Sequence, residues 1–256
     1  TRLAAARHLM KKRIDFLVAG VQKCGTGSLH ALLAQHPAIC MSDKKEIHFF
    51  DRGEFTASEA AYRAYHQHGW GIGGGELDER LLYAESTPKY TLHGPSGRPK
   101  FMARIANYNP AIKLIVLFRD PVDRAYSQWN MLRRNGRDVP AFNKLCEALL
   151  DDPQRPTMGS HMLERGQYGR VAFNLLSNFS SDNLLLLKTE DLNEQMKTIE
   201  SFLRIEPGEY EPRYSHVAEY ESVIDPAIAD RLREFYSTDI EIFARLSGID
   251  VSNWAS

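Results

Sequence analysis

The chain has 256 residues, 43% hydrophobic and 25% charged, with a formal net charge of −1. That length supports one substantial core or two small ones, and the near-neutral charge argues against nucleic acid or heparin-like polyanions as main partners, since those demand a basic footprint. No interval approaches the roughly 18 consecutive apolar residues of a membrane span.

Residues 1–13 read as a short helical or loose lead-in, and a start at Thr1 is compatible with a removed targeting segment or tag. Phe16 to Val21 is an unbroken apolar and small run, the pattern of a parallel strand covered on both faces. It stops at a loop holding Gly20, Lys23, Gly25 and Gly27, and the helix that follows is closed by His36-Pro37. Gly25 and Gly27 let backbone amides turn inward, Thr26 or Ser28 can cap the helix, and the helix dipole then faces an anion. This is a phosphate cradle, although a plain strand-to-helix turn draws on the same residue types. A nucleoside-triphosphate loop would place Lys and then Ser/Thr directly after Gly25. Here Thr26 and Gly27 stand there, and the lysine sits back at Lys23.

Ala38 to Met41 leads into Lys44-Lys45-Glu46-Ile47-His48-Phe49-Phe50-Asp51. Read as extended chain, alternation puts Glu46, His48 and Phe50 on one face and Ile47 and Phe49 on the other, so that a carboxylate and an imidazole enter one cleft. Residues 59–70 read as a helix, and the glycines that follow it, at 69, 71 and 73–75, as a loop. His66 and His68 are expected at the surface, and Trp70, Tyr90 and Trp129 in the core unless they stack on a ring. Leu81 to Tyr90 reads as a strand turning at Thr87-Pro88, and residues 98–108 as a helix.

Lys113 to Phe118 is a second buried strand, ending in Arg119-Asp120-Pro121, where Asp120 can cap and Pro121 can begin the next helix. A guanidinium at the carboxyl end of a central strand suits phosphate oxygens; Asp120 or Asp123 would instead pair with it at the surface. Ser127 lies about two helical turns beyond Arg119. Arg133, Arg134 and Arg137, like Lys11, Lys12 and Arg13, read as solvated faces. Residues 137–158 read as a polar excursion, 163–179 as an amphipathic helix, 184–187 as a buried strand, and Asp191 as the cap of a helix reaching about Leu203. Residues 226–246 form a last helix ending at Gly248. Strands alternating with helices imply three layers around a central parallel sheet, with no internal repeat or linker.

Cys24, Cys40 and Cys146 form no metal-type pair, and an odd number suits a reducing compartment, so a cytoplasmic location is expected. Cys24 needs only to be small in its loop. No metal site is expected.

Two stretches together resemble the sulfotransferases that use 3'-phosphoadenosine 5'-phosphosulfate (PAPS), in particular the branch acting on glycan hydroxyls and amines. The family's loop, Gly-x-x-Lys-x-Gly-Thr-x-x-Leu, is matched by Gly20, Lys23, Gly25, Thr26 and Leu29, and its catalytic Glu-x-x-Phe-Phe by Glu46, Phe49 and Phe50. Arg119-Asp120-Pro121 through Arg124 and Ser127 matches its Arg-Asp-Pro-x-x-Arg-x-x-Ser segment. The resemblance implies a P-loop-like α/β fold over 1–256 as a single domain and PAPS as donor, with its desulfated form PAP as product. It implies Glu46 as general base, with His48 orienting Glu46, contacting the acceptor or acting as the base itself. It implies Lys23 at the departing phosphate oxygen; Lys23, Cys24, Gly25, Thr26, Gly27 and Ser28 around the 5'-phosphate; and Arg119 and Ser127 on the 3'-phosphate. Arg213, with Tyr214 and His216 nearby, stands where the family closes a loop over the adenine. His48, Asp51 and Lys89 are the acceptor-side candidates. The family's Glu-Lys-Thr-Pro-x-Tyr segment is altered: Ser86 replaces its lysine and Lys89 brings a lysine from another position. The acceptor implied is a carbohydrate or carbohydrate-bearing metabolite, with a phenolic or natural-product hydroxyl as an alternative. A small-metabolite kinase of the P-loop class and a non-catalytic nucleotide-binding module are the competing functions. Oligomeric state is not legible.

Overall fold

Five of the apolar runs become strands because each is long enough to cross the core once and ends at a glycine, proline or charged turn. They are β1 (Phe16–Gly20), β2 (Ile39–Met41), β3 (Leu82–Ser86), β4 (Lys113–Phe118) and β5 (Leu184–Lys188). The structure, a computed structural model, describes residues 13–53, 55–71, 78–93, 101–152, 161–211 and 224–254. The sheet is parallel throughout, in the order β2-β3-β1-β4-β5. Every residue of β1 is buried, as are Leu114 to Phe118 of β4. The strand order reverses between these two central strands, so their carboxyl ends flank the crevice in which open α/β sheets bind ligands. β5 was expected to be fully buried but forms one edge of the sheet, where Leu187 alone is buried and its other residues are partly exposed.

The helices are α1 (Thr26–Leu33), α2 (Glu59–Trp70), α3 (Met102–Tyr108), α4 (Pro121–Arg134), α5 (Phe142–Asp151), α6 (His161–Glu164), α7 (Tyr168–Asn178), α8 (Met196–Leu203) and α9 (Pro226–Ser247). Asp120 caps α4 as expected, accepting from the Val122 and Asp123 amides at 2.8 and 2.9 Å. Asp225 caps α9 in the same way, and Gly248 ends that helix at φ 71°.

Three further expectations are corrected. Part of the polar excursion over 137–158 is α5, whose Phe142, Leu145, Cys146 and Leu149 recur at helical spacing and bury against α4, α6 and α9 as a second core. The helix expected over 163–179 is broken into α6 and α7 at Gly166, where a Cβ would lie 2.7 Å from the Tyr236 ring. No side chain of its own caps α7; Asp239 of α9 reaches over and accepts from the Gly169 amide at 2.8 Å. The third concerns Asp191, which lies in turns before α8 and offers its backbone carbonyl, not a capping side chain, to Glu194 and Gln195.

Gly20 ends β1 where the 3₁₀ turn Pro88–Thr91 crosses closely, and an added Cβ would sit 2.3 Å from Thr91 Oγ1. Gly20→Ala is therefore expected to lower stability by about 1–3 kcal/mol in urea unfolding. Gly53→Ala, with nothing within 4 Å of the new methyl, serves as the unaffected control.

Candidate active site at the carboxyl ends of the central strands

The loop leaving β1 is wound by two residues in the left-handed region, Lys23 at φ 72° and Gly25 at φ 80°. Such alternation turns successive amides to one side and forms an anion-binding concavity. Gly25 has a second reason to lack a side chain: its Cβ would lie 2.8 Å from Thr189 Cγ2. Thr189, just after β5, fixes the loop from below, its hydroxyl lying 2.8 Å from the Cys24 carbonyl and 3.0 Å from that of Phe118 at the end of β4. Neither Thr26 nor Ser28 caps α1 as expected. Gly25 holds the cap position without a side-chain bond, and no acidic residue stands in the first turn. The positive end of the helix is thus offset by no protein carboxylate of its own.

Lys23 is partly buried, and burial holds its ammonium below the usual 10.5; the positive charges of Arg134, Lys45 and Arg119 push it further down. Four cations thus share one region, a field that calls for an anion. Cys24 is fully buried and its thiol is pushed up to about 11, chiefly by desolvation, with its sulfur 3.6 Å from the Tyr168 hydroxyl. It is a packing residue, not a thiolate nucleophile.

The segment from Lys44 to Asp51 is not the alternating strand that its pattern suggests. Glu46 and His48 both adopt left-handed backbone, at φ 62° and 58°. The consequence is a different sorting of side chains: Ile47, Phe49 and Phe50 all enter the core, while Glu46 and His48 face the cleft with side chains 37% and 43% exposed. Glu46 and His48 do come together, but through the two backbone reversals. Each such non-glycine conformation costs on the order of 1–3 kcal/mol and persists only where surrounding contacts dictate it.

Those contacts converge on Glu85, a fully buried carboxylate at the end of β3 that the sequence reading assigned no role. It accepts from the Tyr65 hydroxyl at 2.9 Å, the Tyr90 hydroxyl at 2.7 Å and the Thr87 hydroxyl at 2.6 Å, and from the Ile47 amide. Burial raises its pKa above the usual 4.5, and these hydrogen bonds draw it back down. The two partners relay the anchor to the segment: Tyr90 accepts from the Phe49 amide at 3.1 Å, and Thr87 Oγ1 from the His48 amide at 3.4 Å. The Glu46 amide donates to the Ser86 carbonyl at 3.0 Å.

Around the cleft the side chains form a chain of charges. Glu46 Oε1 lies 2.9 Å from Lys45 Nζ and Oε2 3.4 Å from His48 Nε2. His48 Nδ1 lies 3.0 Å from Asp51 Oδ2, which Lys89 Nζ also meets at 3.0 Å. The Asp51 side chain is 1% exposed. Its carboxylate fixes the proton of His48 on Nδ1 and so turns Nε2 toward Glu46.

Arg119 pairs with Asp123 one turn along, at 2.9 Å. Ser127 stands half-buried on α4 one turn beyond Asp123, and Arg134 follows on the same face at helical spacing. Arg134, read from sequence as a solvated residue, exerts the largest charge effect on Lys23. Ser86, in the place of the family lysine, is fully buried and bonded to His30 Nδ1 at 3.0 Å; burial and Lys45 push His30 down to about 4. His66 is half-buried, its ring Nε2 2.9 Å from the Tyr108 hydroxyl, while His68 is exposed. Trp70, Tyr90 and Trp129 are core residues. Arg213 lies outside the described residues. Among the described residues no cluster of His, Cys, Asp and Glu has the makings of a metal site, and no helix is long and apolar enough to cross a membrane.

Tyr90→Phe strands the buried Phe49 amide and removes one bond to Glu85. It is expected to cost about 1–3 kcal/mol in urea unfolding.

Residues 13–239 match the family described as "Sulfotransferase domain". Among similar proteins are a membrane-associated sulfotransferase, kil1, of Dictyostelium discoideum, 34% identical over 47% of this chain and 24% of its own length. Carbohydrate sulfotransferase 15 of Rattus norvegicus is 26% identical over 71% of this chain and 41% of its own length. The bifunctional heparan sulfate N-deacetylase/N-sulfotransferase 4 of Mus musculus is 27% identical over 75% and 22%. The chain thus spans less than half the length of these relatives. Among solved structures, the sulfotransferase from Alicyclobacillus acidocaldarius has the same fold at a TM-score of 0.74 and 23% identity, covering 96% of this chain and 100% of that one. A loop, a sheet order and a cleft of this kind, with a family match over most of the length, have one meaning: the chain belongs to the sulfotransferase domain family.

Proposed function

We propose that this chain moves a sulfuryl group from PAPS to a hydroxyl, or an amine, of a carbohydrate or carbohydrate-bearing metabolite. The observation that carries this reading is the pairing of two opposed features at one sheet end: a cationic, uncapped phosphate loop around Lys23, and the Glu46-His48-Asp51 array facing the same cleft. The names of the similar proteins, a carbohydrate sulfotransferase and a heparan sulfate N-sulfotransferase, support a sugar acceptor.

In this reading the acceptor O–H gives its proton to Glu46, directly or through His48 Nε2, as the oxygen bonds to sulfur. The bond from sulfur to the 5'-phosphate oxygen breaks, and PAP departs. Negative charge grows on that phosphate oxygen, so the Lys23 ammonium stabilises the transition state more than the ground state. The loop amides, Thr26 and Ser28 hold the 5'-phosphate, and Arg119, released from Asp123, and Ser127 hold the 3'-phosphate. Asp51 keeps His48 in the useful tautomer and anchors Lys89 at the acceptor side. A metal is not required, because protein cations supply the charge.

Calorimetric titration with PAP in the absence of metal tests the donor. Tight binding that Arg119→Ala weakens by about tenfold or more supports it; binding of ATP with magnesium but not of PAP returns the loop to the kinase class. Glu46→Gln is expected to lose about 10²- to 10⁴-fold in transfer rate while keeping wild-type PAP affinity, and unchanged activity would favour a non-catalytic module. The depressed Lys23 also sets a pH dependence. A bound anion favours the ammonium form, so PAP affinity should fall as pH rises through the lowered pKa, in a range where an ordinary lysine at 10.5 is still charged. In Lys23→Arg that alkaline fall should disappear.

A further inference from the structure

The turn between α6 and α7 carries an arginine that the scheme above does not use. Its backbone is rigidly placed. The Arg165 amide bonds the His161 carbonyl at 3.2 Å, Gly166 fits under the Tyr236 ring, and the Tyr236 hydroxyl donates to the Leu163 carbonyl at 3.0 Å. Three residues on, the Tyr168 hydroxyl donates to the Arg119 carbonyl at 2.8 Å, which ties the turn to the end of β4.

From there the Arg165 side chain lines a small cavity with Val21, Thr91, Leu92, His93 and Val171. Val21 follows directly on β1 and leads into the phosphate loop. The Arg165 Nε is buried, and among the described residues it meets no hydrogen-bond acceptor. A guanidinium with a buried, unmet N–H is costly and calls for an oxyanion. The nearby acids do not meet that need: Glu164 is engaged by His161 Nδ1 at 2.7 Å, and Glu46 by Lys45 Nζ at 2.9 Å. The positive charge of the fully buried Arg124 adds repulsion, and burial leads the causes that push Arg165 down to about 10. The negative charges of Glu164 and Glu46 act on it favourably.

We propose that Arg165 forms an oxyanion subsite at the reacting end of the cleft, distinct from the phosphate sites, which receives a sulfate-type or carboxylate group beside Glu46. The subsite rests on the sulfotransferase reading given above. Two sources share this chemistry: the sulfuryl group of the donor, and an acid group carried by the acceptor.

The test is calorimetric titration of wild type, Arg165→Gln and Arg165→Lys with PAP and with PAPS, followed by titration of the PAP-saturated proteins with inorganic sulfate and with glucuronate. The donor source is supported if PAP affinity is unchanged in Arg165→Gln while PAPS affinity falls about tenfold, the loss expected for one charge-assisted contact. The acceptor source is supported if PAPS and PAP are unaffected but sulfate or glucuronate binding to the PAP complex is lost in Arg165→Gln. Arg165→Lys, with charge but no planar fork, should retain part of the affinity in either case. Equal losses for PAP and PAPS, or no loss for any probe, would overturn the subsite. Should the variants not fold, wild type decides: PAPS binding no tighter than PAP, with no sulfate or glucuronate binding, rejects it. Absence of PAP binding to wild type would instead reject the donor reading on which the proposal rests.

Discussion

The candidate site depends on one buried carboxylate. Glu85 has no solvent contact, yet three hydroxyls and an amide converge on it, and its partners hold the backbone of residues 46–50 in place. Without that anchor, the two left-handed residues Glu46 and His48 would relax toward the extended chain that their neighbours prefer. Phe49 and Phe50 reinforce it from the other side by packing among Tyr65, Tyr90 and Tyr108. A polar hub and an aromatic cluster thus work together: the hub sets direction, and the cluster makes that direction the one that buries apolar surface.

The opposite wall of the cleft is built on different principles. Its loop is shaped by positive φ at Lys23 and Gly25, held by Thr189, and charged by residues that lie far apart in the chain. Burial depresses Lys23, and the positive charges of Arg134, Lys45 and Arg119 depress it further. An anion held at this loop would restore the ammonium form of Lys23, because an opposite charge favours the charged state. The second core stands behind this wall. Arg124 of α4, fully buried, donates to Gln128 Oε1 at 2.8 Å and to the Met162 carbonyl of α6, which joins the helix bearing Ser127 and Arg134 to the turn bearing Arg165.

Much of this was legible in the residues. The strand, glycine loop and helix of 16–33, the buried strand at 113–118, the Asp120 cap and the last helix follow from local pattern, since periodicity, capping and turn chemistry act over a few residues. α5 was also legible, in the spacing of Phe142, Leu145, Cys146 and Leu149, but the polar and proline-bearing flanks obscured it. The segment after β2 shows where local pattern fails: alternation suggested an extended edge, whereas hydrogen bonds from its amides to Ser86, Thr87 and Tyr90, some forty residues away, dictate the backbone.

The sequence by itself determined the family motifs, the parallel α/β architecture and the identity of the loop lysine and the Glu46-His48 pair, because each rests on residue type at short spacing. The tertiary structure alone decided which charges share a field. Arg134 reads as a solvated residue in its own helix, and only the fold brings its charge to bear on Lys23. Glu85 reads as an ordinary strand residue until three hydroxyls close around it, and Arg165 as a helix-end cation until its Nε is buried beside the cleft. Electrostatic roles depend on distance and desolvation, and both are properties of the packed molecule that no linear spacing carries.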